Sequence, residues 1–239
     1  MDRIKYSVMT RLAPYPSLAV PLARLRGEGE LVDSRTDLLV ESYPRCASSF
    51  AIAAFRIAQE PESVRIAHHT HASGHVIAAI RLGVPALVLI REPEGAVVSS
   101  RIRHPARTYA DLLRGFCAFY EPLVPHRGDL VVGTFDEVTG GELGGITRRL
   151  NARFGTTYSE FEATEENVAR CMREIDEDWR ARRGDGDRLE RAIPRPSPVR
   201  EGLKTELHDS YEAEAPPNLR RRAEQLYSWF TRAEEVGPS

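Results

Sequence analysis

Lysine is almost missing from this 239-residue chain: Lys5 and Lys204 are the only two, so nearly every cation is an arginine. With so few lysines, and no Gly-x4-Gly-Lys-Ser/Thr anywhere, the phosphate loop of a nucleotide triphosphatase is excluded on residues. Arginine suits forked recognition of phosphate or sulfate, although so uniform a bias is also what genome composition produces. Cysteine is scarce too. Cys46, Cys117 and Cys171 are odd in number, widely spaced and never arranged as Cys-x-x-Cys, which argues against a disulfide framework or a cysteine-built zinc site. A reducing, cytoplasmic compartment is expected.

Long apolar runs are also lacking. The first residues carry Asp2, Arg3, Lys5 and Arg11, and the apolar part that follows is broken by Pro14, Pro16 and Pro21, so neither a signal peptide nor a membrane span is expected. A formal net charge of −2 is too near neutral for a general nucleic-acid or membrane-surface binder. The length suits one well-buried core and is short for two full domains.

What is present alternates. Residues 1–35 have no clean period and read as an N-terminal arm with a short helix near Leu18 to Leu25, expected to cover the core or the site. From residue 36 the chain reads as a single α/β domain. Apolar runs predict strands at about 37–43, 64–69, 84–90 and 130–135, the third being the most apolar and the expected centre of the sheet. Helical spacing predicts helices over 48–59, 76–82, about 109–124, through Ile146, Leu150 and Phe154, over 165–182 and through Leu219 to Phe230. Strand, loop and helix repeat in order, which predicts three layers with a mainly parallel sheet and ligands at the carboxyl ends of its strands. Residues 183–200, rich in Arg, Gly, Asp and Pro without period, predict a flexible loop.

Two junctions carry chemistry. After the first strand, Tyr43-Pro-Arg-Cys-Ala-Ser-Ser-Phe50 turns at once into a helix, whose first N–H groups and dipole make an anion site with Arg45, Ser48 and Ser49 as added donors. The same residues also read simply as a helix cap. After the third strand, Arg91 stands at the strand end and Ser99 about two turns into the next helix. Arg91 equally fits an ion pair with a neighbour such as Glu94. His68, His69, His71 and His75 cluster within eight residues. They read as polar loop residues with one placed for proton transfer, or as part of a zinc site that no nearby cysteine completes.

Together these stretches resemble the sulfotransferase family that uses 3′-phosphoadenosine 5′-phosphosulfate (PAPS), the cytosolic and bacterial type with a P-loop-NTPase-like fold. Residues 43–50 are similar to its 5′-phosphosulfate loop, Tyr-Pro-Lys-Ser-Gly-Thr-Thr-Trp. Arg91-Glu-Pro-Glu-Gly-Ala-Val-Val-Ser99 is similar to its 3′-phosphate motif, His69-Thr-His71 to its Lys-Thr-His, and Arg200-Glu-Gly202 to its late Arg-x-Gly.

The resemblance implies a transfer of a sulfuryl group from PAPS to a hydroxyl or amine of a small-molecule acceptor, without a metal. It implies that Arg45 bonds the 5′-phosphate and the bridging oxygen, with Cys46, Ala47, Ser48 and Ser49 in the cradle and Phe50 and Phe135 as adenine walls. Arg91, Ser99, Arg200 and Gly202 would hold the 3′-phosphate, and His71 would act as base. Three departures stand out: Cys46 for the loop serine, Ala47 for the loop glycine and His69 for the lysine. A non-catalytic nucleotide-binding relative, or a small-molecule kinase with a degenerate loop, are the alternatives.

Overall fold

The apolar runs do become strands. In the computed structural model, which describes residues 2–27, 29–183, 186, 189, 193 and 198–232, β1 is Leu38–Ser42, β2 Ile66–His68, β3 Ala86–Ile90 and β4 Val131–Thr134. All pair in parallel, in the order β2-β1-β3-β4, with Val40 opposite His68 and Leu87, and Ile90 opposite Thr134. Every residue of β1 and β3 is buried, so both sheet faces are covered and helices form a layer on each side. The class is α/β with an all-parallel sheet. From β1 the chain steps outward to β2, then returns past β1 to β3, so the order reverses at the carboxyl ends of β1 and β3. A crevice for ligands is expected at such a switch point.

The helices fall into two groups. On one side α3 (Ser48–Ala58) packs against α9 (Glu165–Arg183), with α8 (Leu143–Phe154) joined to α3 through the 158–161 segment. The other group holds α4 (Ser73–Leu82), α5 (Pro93–Arg103), α6 (Tyr109–Tyr120) and the closing α11 (Pro217–Thr231), whose Phe230 is buried against Tyr120. A 3-10 segment, Glu121–Asp129, leads into β4. Tyr120 sits at the centre of the core with no exposure, and its hydroxyl donates to Leu89 O at 2.7 Å while facing Tyr43 N and Cys46 Sγ. A phenol buried in this way ties the end of β3 to the loop after β1.

Several boundaries differ from expectation, each for a local reason. β4 stops at Thr134 because Thr134 caps α7 (Phe135–Thr139): its hydroxyl accepts from Glu137 N, and the Glu137 carboxylate accepts from Thr134 N. Phe135 therefore opens a helix rather than ending a strand. α4 starts at Ser73, so His75 is helical and not a loop residue. The N-terminal segment is two helices, α1 (Asp2–Leu12) and α2 (Pro16–Arg26), rather than one short one. α1 docks on α6 where Gly115 leaves room for Tyr6, since a Cβ at 115 would lie 2.0 Å from the Tyr6 hydroxyl. α2 docks on α4, and Glu30 bridges to His68.

At the other end, residues 184, 185, 187, 188, 190–192 and 194–197 of the expected loop lie outside the described residues. Leu189 and Ile193 within it are buried. A helix, α10 (Pro198–Glu214), already begins inside the expected span and carries Arg200, so the loop does not extend to 200. Its apolar stripe, Leu203, Leu207 and Tyr211, is thin, which is why spacing does not announce it. Among the described residues no helix is long and apolar enough to cross a membrane.

Candidate active site

Past β1 the chain turns sharply. Arg45 and Ala47 both hold left-handed backbone, φ 76° and 66°. Neither is glycine, and such a conformation costs an L-residue about 1–2 kcal/mol. Ala47 is also the cap of α3 and offers no side-chain hydrogen bond, and the first turn of α3 carries no acidic residue. The first amides of the helix thus meet the loop without a protein anion to satisfy them. The loop takes left-handed backbone at an alanine, at a cost in strain.

Cys46 turns the other way. It has no exposure, its sulfur lies 3.6 Å from the Tyr120 hydroxyl, and burial pushes the thiol up to about 12. Cys46 is a core wedge under the loop, and its thiol faces the core. Phe50 is buried, and its ring meets that of Phe161 edge to face with centroids 6.2 Å apart.

The guanidinium of Arg45 reaches across to the second junction. Its Nε donates to Ser99 Oγ at 2.9 Å and its Nη2 to Ile193 O at 3.2 Å. Arg200, buried at 4 % exposure on α10, donates to the same two acceptors, with Nη2 2.6 Å from Ser99 Oγ. Since Ser99 Oγ accepts from both arginines, its own O–H is left to donate elsewhere. Arg91 donates to Arg45 O at 3.4 Å and lies 3.9 Å over the Phe135 ring, so that Phe135 face is taken by Arg91. Glu94 does not pair with Arg91; it meets His208 of α10. Arg91 also passes over Gly95, where a Cβ would come within 2.9 Å of its Nε and Nη2.

A fourth guanidinium, Arg103, stacks 5.0 Å over Trp179 and adds its charge to the cluster, a member that no sequence motif marks. Burial first, then the charges of Arg200, Arg103 and Arg91, hold Arg45 well below the usual arginine range. Like charges gathered at the end of a parallel sheet repel one another, and an anion placed among them removes that cost. Gly202 is not brought in: it is exposed on α10, and a Cβ there would meet nothing within 4 Å.

The histidines sit beside the loop, at the end of β2. His71 Nδ1 lies 2.8 Å from Ser42 O, and since a carbonyl only accepts, Nδ1 carries the proton and Nε2 is the basic nitrogen of the neutral ring. His69 Nε2 lies 3.2 Å from Ser49 Oγ, which joins the histidine loop to the start of α3. Arg56 donates to His68 Nε2, so the proton of His68 stays on Nδ1, 2.8 Å from His69 Nδ1. His75 points away from the site, with Val32 N donating to its Nε2 at 2.8 Å. Among the described residues no three His, Cys, Asp or Glu side chains form a metal-binding group.

Sequence reasoning passes over the residue beneath this loop. Glu41, in β1 with no exposure, receives the backbone N–H groups of Thr70 and His71, the Thr70 hydroxyl and His75 Nδ1. Burial alone would raise its carboxyl. The hydrogen bond from His75, the electrostatic attraction of the His75 and His71 rings, and the Thr70 hydroxyl outweigh that and hold it down at about 2. The signal was a lone acid inside the apolar run Leu38-Leu-Val-Glu41. A cavity of about 340 Å³ lined by Arg24, Gly29, Val32 and Arg65 shares no residue with this cluster.

No family model matches the chain, and no curated protein does. Among solved structures it is similar to mouse sulfotransferase SULT7A1 complexed with PAP, at 12 % identity and a TM-score of 0.45, over 87 % of this chain and 88 % of that one.

Proposed function

We propose that this chain is a sulfotransferase that moves a sulfuryl group from PAPS to a hydroxyl or amine of a small-molecule acceptor. The observation that carries it is the meeting of Arg45 and Arg200 on Ser99, with Arg91 on Arg45 O, at the strand ends of a sheet whose β2 end carries an imidazole with its Nε2 basic. A kinase has no 3′-phosphate to hold, whereas a donor with phosphates at both ends of its ribose calls for cations from two separate junctions. The short loop and left-handed residues before α3 suit the 5′-phosphosulfate, with backbone amides, Ser48 and Ser49 as donors. Ser99, Arg91 and Arg200 suit the 3′-phosphate.

In this reading His71 Nε2 takes the proton of the acceptor O–H or N–H as that atom attacks sulfur. The bond from sulfur to the bridging oxygen breaks in line, and the electron pair stays on the phosphate of adenosine 3′,5′-bisphosphate. Arg45 supplies positive charge to that oxygen as the bond lengthens, as a fork rather than the point charge of a lysine. The proton ends on His71 and leaves to solvent. Phe135, with one face under Arg91, has its other face for the adenine. The reducing, cytoplasmic compartment expected from the cysteines suits this donor.

The test is calorimetric titration with adenosine 3′,5′-bisphosphate, the product nucleotide. Saturable binding, tighter than that of ADP, is expected. No heat at millimolar nucleotide would remove the proposal.

A further inference from the structure

His69 and His71 hold left-handed backbone, φ 62° and 52°, at about 1–3 kcal/mol of strain each. A loop bent this way has to be held by what surrounds it. Glu41 is what holds it. Its Oε1 accepts from Thr70 N at 2.7 Å, Thr70 Oγ1 at 2.8 Å and His75 Nδ1 at 3.0 Å, and its Oε2 accepts from His71 N at 3.1 Å. Four donors converge on two oxygens, a set that an ionised carboxylate satisfies and that a glutamine cannot, since its NH₂ would face a donor.

The scaffold around it is fixed in turn. His75 can offer Nδ1–H to Glu41 because Val32 N donates to its Nε2. Gly29 seats the preceding segment against the loop, where a Cβ would lie 2.2 Å from His68 O. On its other side His71 is tied by Nδ1 to Ser42 O, the residue after Glu41. Both restraints on His71, one on its backbone and one on its ring, therefore come from two consecutive residues of β1. A buried charge is an expensive means of tying a loop. It has a use where a neighbouring imidazole must become positive.

We infer that Glu41 is the positioning residue for His71: its carboxylate fixes residues 70–71 so that Nε2 faces the acceptor, and its charge stabilises the imidazolium as the proton arrives. The role of His71 in transfer rests on the function proposed above; the coupling of Glu41 to His71 does not. The charged and titratable groups packed about the loop are Glu41 from β1, His75 from α4, Arg56 from α3, Glu30 from the N-terminal segment, and His68 and His69 of the loop itself.

The experiment follows the imidazole ¹⁵N–¹H resonances of the full chain without nucleotide through the neutral pH range, alongside Glu41→Gln. Kd for adenosine 3′,5′-bisphosphate and kcat with PAPS and a panel of simple phenols, alcohols and amines are measured on both. In Glu41→Gln the His71 backbone N–H resonance should shift and its Nδ1–H tautomer should lose population. kcat should drop about tenfold or more, with nucleotide affinity nearly unchanged. An unaltered His71 N–H resonance and tautomer would overturn the assignment. If the variant does not fold, the wild-type Glu41 carboxyl ¹³C resonance decides: it must move with the His71 midpoint, and no such movement would equally overturn it. Loss of nucleotide binding in the wild type, with the coupling intact, would remove the transferase reading and leave Glu41 as the residue that sets His71.

Discussion

Arg45 Nε donates to Ser99 Oγ at 2.9 Å, so the loop after β1 and the helix after β3 share one hydrogen bond across the switch point of the sheet. Arg45 thereby depends on its fork: Nε goes to Ser99 and Nη2 to Ile193 O. Arg45→Lys keeps the charge and loses both contacts. Charge-assisted bonds of this kind are worth about 1.5–3 kcal/mol, so the Kd for adenosine 3′,5′-bisphosphate should rise roughly tenfold or more. Ser99→Ala should weaken the same Kd. Because both changes act on one bond, the double variant should lose less than the sum of the two, which calorimetry on the four proteins checks.

Gly95 matters for what it lacks. The atoms a Cβ would meet there are Glu92 Oε2 at 2.7 Å and the Arg91 guanidinium at 2.9 Å, both at the ends of flexible side chains. Gly95→Ala should therefore fold normally, with helix propensity favouring alanine by up to about 1 kcal/mol. Arg91 must give way and leave Phe135. Nucleotide affinity should fall as far as in Arg91→Ala, and Gly95→Ala in an Arg91→Ala background should change nothing further.

The four strands are legible in sequence to within two residues because buried parallel strands are continuous apolar runs, and runs of that kind are hard to hide. The junctions mark Arg45, Arg91 and Ser99 one by one, but that they meet is legible only through motif resemblance, since spacing alone does not say which strand ends meet. Burial is what motifs leave out. Cys46 and Phe50 occupy ligand-facing places in the resemblance, yet both side chains turn into the core, Cys46 under Tyr120 and Phe50 against Phe161. Glu41 escaped because its partners, two backbone N–H groups, the Thr70 hydroxyl and His75, stand about thirty residues along the chain and no spacing marks them. Arg103 and the helix under Arg200 escaped because their contacts are with segments more than seventy residues distant, or carry a thin apolar stripe.

Ala47 holds φ 66° where glycine would be unstrained. Ala47→Gly should leave stability unchanged or raise it by up to about 1 kcal/mol, relief of strain being offset in part by the freedom of the unfolded glycine. Ala47→Val puts a branched side chain in the same backbone and should cost about 2 kcal/mol or more. Urea unfolding of the three proteins orders them, and a valine variant as stable as the wild type would show that the loop is not left-handed in solution.

His71 is restrained by Ser42 O and by Glu41 but makes no described contact with the arginine cluster. His71→Ala should therefore abolish transfer, by about 10²–10⁴-fold if it is the general base, and leave nucleotide affinity nearly intact. Turnover of PAPS against calorimetric Kd separates the two. Equal loss of both would place His71 in the phosphate grip instead.

Acid should loosen the fold through Glu41. Its carboxyl is held at about 2 against an ordinary 4.5, so the folded state binds the carboxylate form preferentially. The stabilisation is complete above the unfolded value and is lost as pH falls from about 4.5 towards 2, with stability rising with pH inside that window. A gap of this size corresponds to roughly 3 kcal/mol. In Glu41→Gln the gap is absent, so the urea midpoint of the variant should fall less steeply between those pH values than that of the wild type. If the two proteins lose stability in parallel, the carboxyl titrates alike in the folded and unfolded states, and the account of how the histidine loop is held fails with it.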